Sequence, residues 1–315
     1  MNNNMNSFDE FEFTDLPQGN ATKDDFLAQD EQEVVAEEKP KKVASRRKKE
    51  TQIDEEIKRE NHEAGKKKVG LTYETVVTLP SKGLLYKEVG IPADLTLRGM
   101  TTKEEKILYG SQGGDVFKKI LRNCVTSPQN FDTTKLIAAD ETFLILQLRM
   151  LTFGNKYKVE TKCPHCGASE TFSIDLAQLP IDYLEDTFEE PIIITLPDSG
   201  DTISIKLLRN TDVEYVDKYA KRFAKQFNQP YREVSYICRM AKYIREVNGK
   251  EIDFVDAKDY VENHMTMKDS AKFWSVINKI ILGVDTQVEE TCSTCGEDFS
   301  FGLPITKEFF RPDIE

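Results

Sequence analysis

The sequence predicts an α+β fold in which small β elements and a repeated cysteine turn flank a mostly helical insertion, behind a disordered N-terminal tail. Three observations predict it. Short segments such as Thr72–Thr78 (TYETVVT) alternate with the period of a half-buried strand. Longer segments carry helical spacing behind capping signals, as at Thr266 with Asp269. The pattern Val-Glu-x-x-Cys-x-x-Cys-Gly occurs twice, at 159–167 and at 288–296.

Residues 1–69 read as the tail. Residues 1–40 hold 2 basic and 11 acidic side chains, and residues 41–68 hold 11 basic and 6 acidic ones. Sequence this charged, with sparse apolar residues, buries too little surface to offset the entropy of ordering. Phe8, Phe11, Phe13 and Leu16 lie among Asp9, Glu10, Glu12 and Asp15. That composition suits a short peptide that orders by docking on a partner, and equally an ordinary acidic tail. The run Lys39–Lys49 (KPKKVASRRKK) has the look of a nuclear-import or nucleic-acid patch, and reads better as a solvated linker. Over the whole chain of 315 residues the net charge is −12, which disfavours generic duplex binding because phosphate contacts need basic surface. There is no apolar run of about 18 residues, so no membrane-spanning helix is expected. The first residues (MNNNMNSFDEFEF) lack the apolar core of a secretory signal.

The folded body begins near Val69. After the Thr72–Thr78 strand, Leu79-Pro80-Ser81-Lys82-Gly83 breaks the chain with turn residues, and Ile91–Leu97 gives a second strand. Thr102 followed by Glu105 is a capping-box pattern that opens a helix to Tyr109. Gly113-Gly114 interrupts, and Val116–Asn123 resumes helical spacing. Asp140 begins a strong helix (ETFLILQLRMLTF), closed by Gly154 at a C′ position. Its apolar face is too wide for a solvent-facing helix, which marks it as a core element. Tyr157–Glu160 and Thr171–Leu176 flank the first cysteine turn.

A hairpin follows, with Ile192–Thr195 and Ile203–Leu208 around Pro197–Asp201. Thr211 with Glu214 caps a helix to Phe227. Pro230 opens another, Tyr231–Val247, which Asn248-Gly249 stops. Asp256–Asn263 is a shorter helix. The last long one runs from its Thr266 cap to the vicinity of Leu282-Gly283, with Phe273, Trp274, Ile277, Ile280 and Ile281 as core residues. Phe299–Leu303 is the closing strand. The chain thus divides into a tail at 1–69, an α+β part with the first cysteine turn at 70–176, a hairpin plus helical insertion at 177–285, and the second cysteine turn with the C-terminus at 286–315.

Four of the 6 cysteines fall in the two turns, Cys163, Cys166, Cys292 and Cys295. Two thiolates separated by two residues are presented from one turn, and the glycine after the second permits the left-handed backbone that such a turn needs. One turn supplies half of a tetrahedral site, so two complete a four-cysteine zinc ribbon with Zn–S distances of about 2.3 Å. The four cysteines are therefore the predicted ligands of a structural Zn2+. A redox pair would sit at a helix N-terminus, and two disulfides would require an oxidising compartment. A catalytic zinc keeps an open position that four cysteines do not leave. Since 125 residues separate Cys166 from Cys292, the ion would pin together the two ends of the insertion.

No phosphate loop, dinucleotide fingerprint, zinc-protease helix or nucleophile elbow is present. His62, His165 and His264 have no evident nucleophile or metal partner, and Cys124 and Cys238 read as small core residues. No acid, base and nucleophile assemble, so the chain is expected to be a non-enzyme.

Several segments carry a resemblance. Leu79-Pro80-Ser81-Lys82-Gly83-Leu84-Leu85-Tyr86 is followed by Leu95-Thr96-Leu97-Arg98 and the helix start Met100–Glu105. Ala139-Asp140, Leu148-Arg149, Thr152-Phe153-Gly154 and the first cysteine turn come next. This order, over about residues 72–305, resembles the baseplate hub and hub-assembly proteins of T-even-like contractile-tailed bacteriophages. The resemblance implies a structural or assembly role in the tail baseplate, with other baseplate and tail proteins as partners and no catalysis. It also implies a place in the virion, or in the host cytoplasm during assembly. The competing reading is a zinc-ribbon protein of nucleic-acid binding or transcription, with Arg46-Arg47-Lys48-Lys49 on phosphate.

Overall fold

The computed structural model describes residues 73–110 and 115–311. The Phe8, Phe11 and Phe13 cluster and the basic run at 39–49 lie outside the described residues. The described body is α+β, as the sequence predicts, with small antiparallel sheets and seven helices.

Strand β1 (Glu74–Thr78) pairs antiparallel with β2 (Asp94–Arg98), which buries Leu95 and Leu97. The connection turns back at Gly83, where φ is 69° and a Cβ would lie 2.8 Å from the Ala93 nitrogen. Helix α1 (Thr102–Gly110) follows. Its cap is one residue earlier than the sequence predicts. Glu104, not Glu105, reaches back to the Thr101 amide at 2.8 Å. Arg98 on β2 decides the choice, because its guanidinium donates to both Glu104 oxygens, at 2.8 and 3.2 Å, and draws that carboxylate into the interior. Helix α2 (Asp115–Cys124) buries Val116, Ile120, Leu121 and Cys124. Strand β3 (Val125–Ser127) then completes a sheet of order β1-β2-β3.

Helix α3 (Ala138–Phe153) is the centre of the first core. Two polar side chains buried within it anchor distant segments. Asp140 accepts from the Ser81 amide at 3.1 Å and from Tyr86 Oη at 2.6 Å, so the Leu79–Tyr86 segment is tied to the start of α3. Arg149 donates to the carbonyls of Phe309 at 2.8 Å, Gly154 at 3.1 Å and Lys156 at 3.4 Å. It thereby holds the last turn, Lys307–Phe310, against the first hairpin. The segments that carry the family resemblance, the first cysteine turn apart, therefore meet each other inside this core.

Strands β4 (Lys156–Lys162) and β5 (Ser169–Asp175) form that hairpin. After β6 (Ile181–Asp182) come β7 (Ile192–Thr195) and β8 (Thr202–Ile205), a second hairpin whose return strand is shorter than expected. Helix α4 (Asn210–Phe227) is capped by Asp212 accepting from the Arg209 amide at 3.1 Å. The predicted Thr211–Glu214 cap is not used, because Glu214 is drawn into an ion pair with Lys118.

Helix α5 (Tyr231–Tyr243) ends four residues before the predicted stop. Ile244–Val247 is strand β9, which buries Ile244 against β8, and β10 (Lys250–Glu251) extends the sheet to the order β10-β9-β8-β7. A short apolar run is ambiguous between helix and strand, and here the neighbouring strand decides. Asn248 and Gly249, with φ of 53° and 76°, make the two-residue turn between β9 and β10.

Helix α6 (Phe254–Asn263) precedes α7 (Met267–Ile277), which carries the predicted Thr266–Asp269 capping box, with both bonds at 3.2 Å. It stops well short of Gly283. Phe273 is fully buried, but Trp274 is half-buried with its indole N–H on Tyr236 at 2.8 Å, and Ile281 is 63% exposed. The chain leaves the helix to form β11 (Gly283–Val284), which pairs with β6. There Gly283 packs on Ala139 of α3, with a Cβ site 2.9 Å from the alanine methyl. Strands β12 (Gln287–Thr291) and β13 (Asp298–Gly302) are the last hairpin. Among the described residues no helix is long and apolar enough to cross a membrane.

Candidate metal centre

The β4–β5 and β12–β13 hairpins have the same turn. In the first, the Cys163 amide donates to the Ala168 carbonyl at 2.9 Å and the Gly167 amide to the Cys163 carbonyl at 2.9 Å. In the second, Cys292 donates to Glu297 at 3.0 Å and Gly296 to Cys292 at 2.9 Å. Gly167 and Gly296 take φ of 76° and 74°, the left-handed region where a side chain costs energy. Register matches as well: Val159 faces Phe172 as Val288 faces Phe301.

The structure brings the two turns together tip to tip. All four Sγ atoms lie within 4.8 Å of one another. Cys163 Sγ is 3.8 Å from Cys295 Sγ, and Cys166 Sγ is 3.7 Å from Cys292 Sγ. The edge of a tetrahedron with Zn–S distances of about 2.3 Å is about 3.8 Å, so the donor set fits a four-thiolate ion. The first cysteine of each pair is buried and the second exposed. Phe172, Phe299 and Phe301 pack beneath them with ring centroids 5.7–5.9 Å apart. Among the described residues, no other group of three or more His, Cys, Asp or Glu side chains converges in this way.

The thiols of the cluster perturb one another. Burial raises the Cys163 thiol, but the amides of Cys166 and His165 pointing at its sulfur outweigh that and bring it down to about 7. The Cys295 amide lowers Cys292, yet burial and the sulfurs of Cys295 and Cys163 carry it up to about 12. A first thiolate in the cluster thus opposes the second, a repulsion that a bound cation removes.

Spacing along the chain gives no sign of one participant. Glu170 of β5 reaches across to the second turn. Both of its oxygens accept from Ser293 Oγ at 2.8 Å. Its Oε1 also accepts from Thr294 Oγ1 at 3.1 Å and faces Cys292 Sγ at 3.4 Å. The Ser293 contact leads the effects that hold its carboxyl below the usual range. The only sequence hint is that the second turn carries hydroxyls where the first has Pro164 and His165.

The side chains of the remaining sequence candidates add no ligand to the cluster. Cys124 and Cys238 are fully buried, and burial raises their thiols to about 12 and about 11, which leaves them inert. His165 is exposed on the first turn, and exposed His264 lies 3.8 Å from Asp259.

Compared with known proteins, residues 71–311 match a family model described as T4 bacteriophage base plate protein. No curated protein and no solved structure matches.

Proposed function

The chain belongs to the T4 bacteriophage base plate protein family, and from that premise we propose that it is a structural or assembly component of the baseplate hub. In this reading it binds other baseplate and tail proteins, performs no catalysis, and resides in the virion tail or acts in the host cytoplasm during assembly. The observation that carries the reading is the extent of the match. Residues 73–110 and 115–311, the whole of the described body, fall inside the matched span 71–311. The Phe8, Phe11 and Phe13 segment lies outside the match and serves as a tether to a neighbouring tail protein.

The second part of the proposal concerns the metal. Cys163, Cys166, Cys292 and Cys295 hold one structural Zn2+, whose chemistry is to accept four thiolates and cross-link the tips of the two hairpins. The support is the fit of the Sγ separations to a tetrahedron and the matched backbone of the two turns. The β6–β11 pair and the cysteine cluster then close the chain segment between them at two levels.

Quantitative mass spectrometry of purified phage particles, beside fractionated lysate, tests the role. A fixed, small copy number in the particle, or association with baseplate intermediates alone, supports it. Absence from both, or fractionation with nucleic acid, contradicts it.

A further inference from the structure

Resting on the reading that the four cysteines hold zinc, we infer that Glu170 is the positioning residue of the site, seating the second cysteine turn on the first hairpin before the ion arrives. The two turns have the same backbone but not the same support. Glu170 pairs with Thr161 in the β4–β5 register, two residues from Cys163, so it moves with the first turn. Its carboxylate holds Ser293 and Thr294, the two residues between Cys292 and Cys295. Among the described residues no reciprocal clamp runs the other way. The position in the second hairpin that matches Glu170 is Phe299, and the first turn offers Pro164 and His165 in place of two hydroxyls.

Charge argues for the same role. Zinc with four thiolates carries a net charge of about −2. A carboxylate beside it adds further negative charge and cannot serve to neutralise the site. What it supplies is geometry, through acceptor oxygens that fix both hydroxyls of the turn. A bound ion would take Cys292 as a thiolate, and the Ser293 and Thr294 hydroxyls would remain the donors that Glu170 can hold. Groups that orient metal ligands in this way change affinity by roughly 10–100-fold when removed.

The test is cobalt(II) titration of the reduced full-length chain, with affinity set by competition against a chelator. The wild-type chain is expected to give the absorption of tetrahedral cobalt with four thiolates. Glu170→Ala should give the same bands with affinity weaker by about tenfold or more. Glu170→Gln, which keeps an acceptor oxygen, should fall between. Ser293→Ala with Thr294→Val removes the donors and leaves Glu170 in place, so it reports even where Glu170→Ala misfolds. It should weaken binding similarly, and adding Glu170→Ala should weaken it no further. Wild-type affinity in either the Glu170→Ala or the hydroxyl-less variant overturns the inference, as does full additivity of the two. If the wild-type chain gives no thiolate–cobalt spectrum, the zinc reading itself fails and this inference with it.

Discussion

The core around α3 and the cysteine end are held together by opposite means. Around α3, buried polar side chains do the tying. Asp140 fixes the Leu79–Tyr86 segment, Arg149 gathers three carbonyls from two segments, and Glu104 locks α1 to β2. Each sits among closely packed aliphatic and aromatic residues. At the cysteine tips the buried cluster is small, Cys163, Cys292 and Phe299 with Phe172 and Phe301 beside them, while the bases of the two hairpins join the first core through Val159, Phe172, Val288 and Phe301. Four thiols converge at these tips, where the proposed ion would add a cross-link to the packing. The first region is fastened by buried polar side chains; the tips of the second are joined by Glu170 and by the four converging thiols.

The largest effect should come from the first region. Arg149→Leu leaves the buried Phe309 carbonyl and the part-buried Gly154 and Lys156 carbonyls without their donor, and a buried acceptor left so costs about 1–3 kcal/mol. Urea unfolding should show a loss of about 2 kcal/mol, with or without zinc. A loss that appears only in zinc-free protein would erase the distinction between the regions.

A middle effect belongs to the second region and tests its internal symmetry. Gly167 and Gly296 have open space for a Cβ but left-handed φ. Gly167→Ala and Gly296→Ala should each cost about 1 kcal/mol from backbone strain alone. Hydrogen exchange should place the loss in 156–175 and 287–302 while α3 keeps its protection.

The smallest effect is a pH dependence. Burial alone would raise the Glu104 carboxyl, but Arg98 and Thr101 outweigh it and hold it below its ordinary value of 4.5. The contribution of this group is therefore complete above 4.5 and is lost as pH falls through its lowered folded value. Stability of the wild-type chain should fall more steeply than that of Glu104→Gln as the pH drops below 4.5, and parallel profiles would remove Glu104 from the account.

How far these regions could be read in advance follows from how local their determinants are. The cysteine turns are written in nine consecutive residues each, and the structure brings all four thiols within 4.8 Å. The α7 capping box is equally local, and it forms where the pattern places it. Elements decided by distant partners were not legible. Glu104 wins over Glu105 for a nearer reason, since Arg98, six residues back on β2, is folded against it by the strand pairing. Ile244–Val247 leaves its helix because β8 offers a free edge. Gly283 ends in a strand because β6 and Ala139 receive it. Glu170 escaped notice for the same reason: its partners lie more than 120 residues away and meet it only in the fold.

The measurement that bears most directly on the central claim is native mass spectrometry of the chain purified without added metal. The account predicts one zinc ion per chain, and none in a Cys163→Ser, Cys292→Ser variant. A wild-type chain free of metal, or zinc retained by that variant, would contradict it.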